Sequence, residues 1–155
     1  SVRTVGRNPA APDVRFTDNG DGTVTDKLTH LVWMKCLTGL SGADCKTGTL
    51  ERFNWKQALQ HQVLLNADGG FADSTDWRLP NRKELASIID NQCSSPSINE
   101  NLFPNQDSSL PVWTSTPDPS DDTRAWSIYF RYGDIKREPR TDLKLIRLVR
   151  DADTP

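Results

Sequence analysis

Long hydrophobic runs are missing from this chain. Its apolar residues occur in runs of only a few, such as Leu31–Met34, and the mean hydropathy is −0.64. A transmembrane helix needs about 20 consecutive apolar residues, and a signal peptide keeps a shorter but still continuous apolar segment. We therefore expect neither a retained signal peptide nor membrane insertion.

Histidine is scarce, and so are the motifs that support catalysis. The two histidines are His30, expected in a strand, and His61, expected on the polar side of a helix. Neither lies beside a G-x-S-x-G or another nucleophile signature, as a hydrolase would require. No C-x-x-C pair and no phosphate-binding glycine loop is present, so we predict no zinc site, no nucleotide binding and no enzymatic activity.

Cysteine is limited to three residues. Cys36 and Cys45 flank an eight-residue loop, LTGLSGAD, across which a disulfide can close. We predict this bridge, and with it an oxidising compartment: a secreted, periplasmic or cell-surface location. Cys93 is then left over, either buried as a small apolar residue or available to a second chain.

Charge is low in total but unevenly distributed. The net charge is −2, yet residues 124–150 carry eight basic and three acidic side chains, against eleven and sixteen in residues 1–123. A basic end on an acidic body favours an anionic ligand, whereas duplex DNA usually requires a larger basic excess. We expect no nucleic-acid partner. The alternative is that these are ordinary solvated strand residues.

The length of 155 residues is typical of one domain and large enough to bury a sizeable core. Residues 1–13 lack periodicity and are predicted to be a flexible lead-in, residues 14–151 the single domain, and residues 152–155 a tail. The run RFTDNGDGTVTD predicts a hairpin, and a strand follows at Leu31–Met34.

Two helices are predicted after these strands. The first begins after the N-cap Asn54 and ends soon after Asn66, before Gly69-Gly70, and the second begins after Asn81, which forms a capping box with Glu84. The residues expected on their buried faces are Trp55, Ala58, Leu59, Val63 and Leu65 in the first helix and Leu85, Ile88 and Ile89 in the second. Between the helices, Trp77 and Leu79 should point inward while Arg78 donates to loop carbonyls.

Strand patterns return after a long polar loop at residues 91–111. They cover residues 112–115, 125–130 and 145–150, with a turn at residues 132–134. Because strands and helices are segregated along the chain, we predict an α+β protein with an antiparallel sheet.

Eight motifs in order resemble a known family. They include FTDNGDGTVTD, LVWMKC, DWRLPNRKEL, INENLFP, VWTST, AWSIYF and IRLVR, and from about residue 16 to residue 150 they resemble the Lcl C-terminal domain family, named after a bacterial collagen-like adhesin. The resemblance implies a C-type-lectin-like fold, with two helices packed on a small antiparallel sheet and long loops. It also implies a surface-exposed bacterial binding or adhesion module, glycosaminoglycan binding and a trimeric homo-oligomer.

One departure from the family pattern, and one from a related enzyme family, bear on this resemblance. His30 stands where the family commonly has glycine, so the turn before Leu31 is expected to differ in shape. The related formylglycine-generating enzymes use cysteines near the end of the chain, and here no cysteine follows Cys93. Their active site is therefore not carried over.

The hairpin contains a group of oxygen-bearing side chains. Asp18, Asn19, Asp21 and Asp26 lie within nine residues, and Ca²⁺ prefers such ligands. However, the spacing does not match an EF-hand loop, and the EPN and WND signatures of calcium-dependent lectins are absent. We favour a turn whose Asp and Asn side chains bond their own backbone, with calcium at Asp18, Asp21 and Asp26 as the alternative.

Aromatic and basic residues alternate in the last third of the chain. By strand alternation, Trp126, Ile128 and Phe130 share one face and are expected in the core. The opposite face and the turn after it supply the predicted ligand-binding residues, which are Tyr129, Arg131, Tyr132, Lys136, Arg137 and Arg140. Aromatic rings can contact sugar faces and arginine forks pair with sulfate or carboxylate. An ordinary charged sheet face is the alternative.

Together these patterns predict a non-catalytic, extracytoplasmic bacterial binding or adhesion module. Its ligand would be an anionic, sulfated glycan on a cell or matrix surface, bound by the basic C-terminal face. The alternative is a protein-recognising display domain or structural appendage domain with no glycan ligand.

Overall fold

The computed structural model describes residues 15–153. Within them it has nine short strands and two helices, joined by loops. The predicted lead-in at residues 1–13 lies outside this range. The elements are β1 (Phe16–Asp18), β2 (Thr23–Asp26), β3 (Leu31–Met34), β4 (Leu40–Ser41), β5 (Thr47–Gly48), α1 (Trp55–Ala67), α2 (Arg82–Ala86), β6 (Val112–Pro117), β7 (Arg124–Tyr129), β8 (Asp134–Pro139) and β9 (Val149–Asp151).

The strands form antiparallel sheets, which confirms the predicted α+β class. One sheet has the order β1-β2-β3-β9, so the last strand pairs with the third, and another has the order β6-β7-β8. Strands β4 and β5 form a separate hairpin. The C-type-lectin-like arrangement and the domain boundaries stay predictions.

The sequence reasoning missed β8 and the short β4–β5 hairpin, and one predicted strand began too early. β8 was not predicted, because its sequence DIKREP is charged at most positions and its residues are largely exposed. It forms by pairing with β7 over six consecutive residues. The predicted strand at residues 145–150 is a regular strand only from Val149, because Leu145 instead makes an isolated parallel bridge to Val112.

The β1–β2 hairpin forms as its turn residues predict. Asp18 Oδ1 accepts a hydrogen bond from the Gly20 backbone N–H at 3.0 Å, and Asp21 Oδ1 accepts one from the Thr23 backbone N–H at 3.1 Å. His30 was expected in a strand, but it is exposed in the turn before β3, with a φ of 59°. A left-handed backbone at this position is the conformation that glycine adopts most easily.

Helix α1 begins at its predicted cap but buries less than predicted. Asn54 and Gln57 form a complete capping box. Ala58 is the one fully buried residue of α1, and Val63 is 63% exposed. The expectation that Val63 faces the core was therefore wrong, since α1 contacts the body of the protein along a narrow stripe.

Helix α2 is short, and ion pairs of Arg78 connect it to the rest of the fold. Asn81 and Glu84 form the predicted capping box, and Leu85 and Ile88 are buried. Arg78 does not donate to loop carbonyls as expected. It instead pairs with Glu84 at 2.7 and 2.8 Å and with Asp151 at 2.8 Å, and thereby ties α2 to β9.

The interior divides into two neighbouring apolar clusters with a large aromatic content. Trp33, Phe103 and Ile128 belong to the first, and Trp77 and Trp113 belong to the second. The indole N–H groups of Trp77 and Trp113 donate to the carbonyls of Phe71 and Phe53, each at 2.9 Å. Such partners allow an indole to be fully buried without losing a hydrogen bond. No helix within residues 15–153 has the length and apolar character needed to cross a membrane.

Candidate functional site

The fold separates the predicted ligand-binding residues into three places. Tyr129, Arg131 and Tyr132 lie around the β7–β8 turn, where the two tyrosine rings are 5.7 Å apart, centroid to centroid. The Arg131 guanidinium lies 5.4 Å from the centroid of the Tyr132 ring. Lys136 and Arg137 lie farther along β8.

The sixth predicted residue, Arg140, lies past the end of β8 and faces α1. Its guanidinium lies 4.4 Å from the centroid of the Trp55 ring, and its Nε donates to the Arg124 carbonyl at 2.9 Å. The sequence places Arg140 three positions from Arg137, but the two guanidinium groups stack on different aromatic rings.

Trp126 is the central residue of the arrangement around Arg137, and the expectation that it is buried in the core was wrong. Ile128 and Phe130 are fully buried as predicted, whereas Trp126 is half-buried. It lies opposite Arg137 in the β7–β8 register. The guanidinium groups of Arg82 and Arg137 lie 4.4 and 5.7 Å from the Trp126 ring centroid, so two arginine side chains lie against this ring.

Arg82 was missed by the reasoning from sequence. It is the first residue of α2 and comes more than 40 positions before Trp126, so no strand alternation connects the two. Among the described residues, no acidic side chain forms an ion pair with Arg82, although most other arginines have one. Its charge is therefore available to a ligand.

A groove of 620 Å³ opens beside this cluster, and we call it the β7–β8 groove. Its lining residues are Asp118, Ser120, Asp121, Arg124, Trp126, Ile135, Lys136, Arg137 and Glu138. Three basic and three acidic side chains thus line the groove itself, and Arg82, packed on Trp126, adds a positive charge beside it.

The acidic residues of the groove are held in fixed positions. Asp118 accepts hydrogen bonds from the backbone and hydroxyl of Ser120 at 2.9 and 2.7 Å, which lowers its pKa. The Arg137 guanidinium lies 3.6 Å from Asp118, whose side chain is 2% exposed. Asp121 is bonded in the same way to Thr123, which lowers its pKa, and lies 3.5 Å from Arg124.

Part of the basic excess of the C-terminal segment lies inside the protein. Lys144 and Arg147 are buried, and Arg150 is nearly so. Lys144 lies within 4 Å of Glu138 and Asp142, and Arg150 pairs with Asp76 at 2.7 Å. The charge asymmetry seen in the sequence therefore overstates the positive charge of the surface.

The acidic residues of the hairpin have partners other than a metal. Asp26 pairs with Arg15 through both carboxylate oxygens, at 3.0 and 2.8 Å, which lowers its pKa despite burial. Asp18 pairs with Lys35 at 2.8 Å, which also lowers its pKa. Within residues 15–153 no three His, Cys, Asp or Glu side chains are grouped so that they could hold a metal ion. The turn interpretation accounts for the bonds of Asp18 and Asp21 to the hairpin backbone, but not for these ion pairs, and calcium binding stays a prediction.

The predicted disulfide is present. Cys36 and Cys45 are joined across the loop, and Cys93 is buried. A disulfide in a chain of this kind is typical of an oxidising, extracytoplasmic environment.

Comparison with known proteins agrees with the motifs. No curated protein matches the chain. The sequence model of the Lcl C-terminal domain matches residues 22–150, which is most of the chain and includes the β7–β8 groove. Membership of this family suggests an extracellular binding or adhesion module. Because the match covers most of its length, the chain belongs to the Lcl C-terminal domain family.

Proposed function

We propose that this extracellular binding module recognises anionic glycans in the β7–β8 groove. The observation that carries the proposal is the pair of guanidinium groups, Arg82 and Arg137, stacked on the half-buried ring of Trp126. Stacking on an indole restricts an arginine side chain while leaving its N–H donors directed outward. The cost of ordering these donors on binding is thereby reduced.

Sulfate and carboxylate groups match such donors. A guanidinium donates two parallel hydrogen bonds to a planar or tetrahedral oxyanion, and charge makes these bonds stronger than neutral ones. The Arg137 side chain is 52% exposed, and its guanidinium lies 3.6 Å from the Asp118 carboxylate. This contact holds Arg137 at the groove without forming a bidentate pair. Lys136 and Arg124 add positive charge along the same wall.

A titration of heparin, as a sulfated glycan, tests this proposal. The double variant Arg82→Gln/Arg137→Gln should weaken binding at least about tenfold, because two charge-assisted contacts are lost. The matched control is Lys83→Gln/Lys27→Gln, which removes the same charge from exposed positions outside the groove. Arg140→Ala should have little effect, since Arg140 lies on Trp55.

Two further results bear on this proposal. Binding of the wild-type protein should weaken steeply as salt rises, and neutral glycans should bind more weakly than sulfated ones. Equal losses in the groove variant and the control variant would show that the binding depends only on overall charge, and the proposed site would then be wrong.

A second candidate function is recognition of a protein, and the outer face of α1 favours it. Val63 and Leu64 are 63% and 66% exposed and lie beside Trp55 and Leu59 around a depression of 880 Å³. Exposed apolar surface of this kind is common at protein interfaces. Binding to a protein at this face should be insensitive to salt and should be lost on Val63→Gln/Leu64→Gln.

A further inference from the structure

A second cleft lies apart from the residues of the β7–β8 groove. It has a volume of 720 Å³, and its walls are the β1–β2 turn, residues 34–43 and one side of α1. We call it the disulfide cleft, because Cys36 lines it and the Cys36–Cys45 bridge closes the loop that forms one wall. Its volume falls within the range of pockets that hold small molecules.

The wall of the disulfide cleft is mainly apolar. The side chains of Met34, Leu37, Leu40, Leu65 and Phe71 line it. Phe71 is 38% exposed, although its ring packs edge-on against buried Trp77 at 6.0 Å. An apolar molecule in the cleft would remove this ring and its neighbours from water.

The Phe71 ring packs closely against Gly22. A Cβ atom at Gly22 would lie 2.9 Å from Phe71 Cζ, closer than two carbon atoms can approach. The ring therefore packs against the hairpin backbone, and a side chain in place of Gly22 would displace one or the other.

One titratable side chain of this mainly apolar surface is that of His61. His61 is half-buried with its ring 5.1 Å from that of Phe53, and burial lowers its pKa, so that the imidazole is neutral near pH 7. The neutral His61 ring can therefore donate one hydrogen bond and accept another.

The charges of the cleft disfavour an anion. Lys35 is the one basic side chain among the lining residues, and Asp18 neutralises it at 2.8 Å. Asp21 also lines the cleft and forms no ion pair with a described residue. The disulfide cleft thus differs in character from the β7–β8 groove, where arginines predominate around Trp126.

The wall segment is held in place before any ligand arrives. Thr38 N–H donates to the Ile146 carbonyl at 3.0 Å, and Glu51 N–H donates to the Thr38 carbonyl at 3.2 Å. These bonds and the disulfide anchor the loop to the core. A preformed cavity loses little freedom on binding.

We propose that the disulfide cleft binds an uncharged, mainly apolar small molecule that carries a hydroxyl group. The apolar body packs against Phe71 and the leucines, and the hydroxyl group bonds to the His61 imidazole. This site is independent of the proposed glycan groove.

A dye-binding titration on the full chain with its disulfide intact tests the proposal, with 1-naphthol as competitor. Nile red, which is neutral and apolar, should bind saturably to one site per chain, and 1-naphthol should displace it. Ala43→Trp places a large ring in the cleft and should weaken Nile red binding at least about tenfold, because the ring takes up ligand volume. Ala67→Trp is the matched control, since Ala67 is exposed at the end of α1 and lines none of the cleft.

Three results would overturn the proposal: no saturable binding to the wild-type protein, equal affinity in Ala43→Trp and Ala67→Trp, or loss of binding in Val63→Gln/Leu64→Gln. The last result would locate the dye on the outer face of α1. Heparin should not displace the dye. This separates the outcome from that of the glycan proposal, which can fail while Nile red still binds.

Discussion

Arg147 is an unusual residue in this interior, because it is a charged side chain with no carboxylate partner. It is fully buried, and burial lowers its pKa to about 9, which still leaves it charged at pH 7. Its guanidinium donates to the carbonyls of Met34 and Lys35 and to Gln106 Oε1 at 2.7 Å, and it lies 5.0 Å from the Phe103 ring centroid. A planar fork with several donors can satisfy carbonyl groups that an ammonium cannot reach together.

We expect Arg147→Lys to lower the free energy of unfolding by about 2–3 kcal/mol, because buried acceptors lose their donors. Urea denaturation of the variant and of wild type measures this difference. Arg52→Lys, at an exposed position, should change stability by less than about 0.5 kcal/mol. Equal stability of Arg147→Lys and wild type would show that the fork geometry is not needed.

His61 gives the protein a stability that depends on pH. Burial lowers the pKa of the folded-state imidazole below 6.5, so below that pH the unfolded chain binds more protons than the folded one. Stability is fully present above pH 6.5 and falls as the pH decreases toward the folded-state pKa. We expect the melting temperature of His61→Gln to fall less than that of wild type between pH 7 and pH 5. Parallel curves for the two proteins would contradict this explanation.

Sequence reasoning was accurate for residues whose environment is local. Both capping boxes and the Cys36–Cys45 bridge depend on partners only a few positions away. Trp126 was placed wrongly because its covering residue, Arg82, comes from a different element. A partner distant in sequence leaves no periodic signal.

At the scale of elements, strand pairing determined the structure of β8 more than its own sequence pattern did. β8 has few features of a strand in its own sequence, yet all six of its residues pair with β7. As an edge strand it is rich in charge, which discourages unwanted pairing with other chains. In α1 the sequence pattern predicts more burial than the structure shows. Only a narrow stripe of the helix contacts the core, and Val63 and Leu64 remain exposed.

The turn between Phe71 and Ser74 carries backbone strain. Ala72 and Asp73 have φ values of 50° and 62°, and neither is a glycine. Two successive left-handed residues are typical of a type I′ turn, for which Asn-Gly is the preferred pair. The double variant Ala72→Asn/Asp73→Gly should therefore raise the free energy of unfolding by about 1 kcal/mol.

Thermal and urea denaturation both measure the effect of this turn. Ala72→Val should act in the opposite direction, because a β-branched residue tolerates a positive φ poorly. If the Asn-Gly variant were no more stable than wild type, the strain at this turn would already be compensated by its contacts.

At the scale of the whole molecule, the family and the α+β class were predictable, but the candidate site was only partly so. Lys136 and Arg137 line the groove as a group, whereas the tyrosines of the β7–β8 turn and Arg140 lie elsewhere. Asp118 lines the groove and Arg82 lies beside it, and both come from other segments. The prediction assumed that these residues share one surface because they are close in sequence. The structure instead places the tyrosines at the β7–β8 turn and Arg140 past the end of β8.

The disulfide should contribute to the stability of the entire domain. Cys36 and Cys45 are nine positions apart, and closing a loop of that length restricts the unfolded chain. Loop-closure entropy predicts that Cys36→Ala/Cys45→Ala loses about 2–3 kcal/mol of unfolding free energy.

Urea denaturation with and without reductant measures this loss. Wild type should become as unstable as the variant once it is reduced, while the variant itself should not respond to reductant. If reductant left the stability of wild type unchanged, the bridge would not be a stabilising element, and its link to an oxidising compartment would lose this support.

The pairing of β9 with β3 places the first and last strands of the described residues at the two edges of one sheet. Phe16 lies opposite Asp26, Asp26 opposite Leu31, and Leu31 opposite Asp151, so the four residues form one row across the sheet. Three strand spacings separate the outer two, a distance of about 14 Å. A linker of about five residues could join them, so circular permutation, or insertion of the entire domain into a surface loop of a host protein, is geometrically feasible.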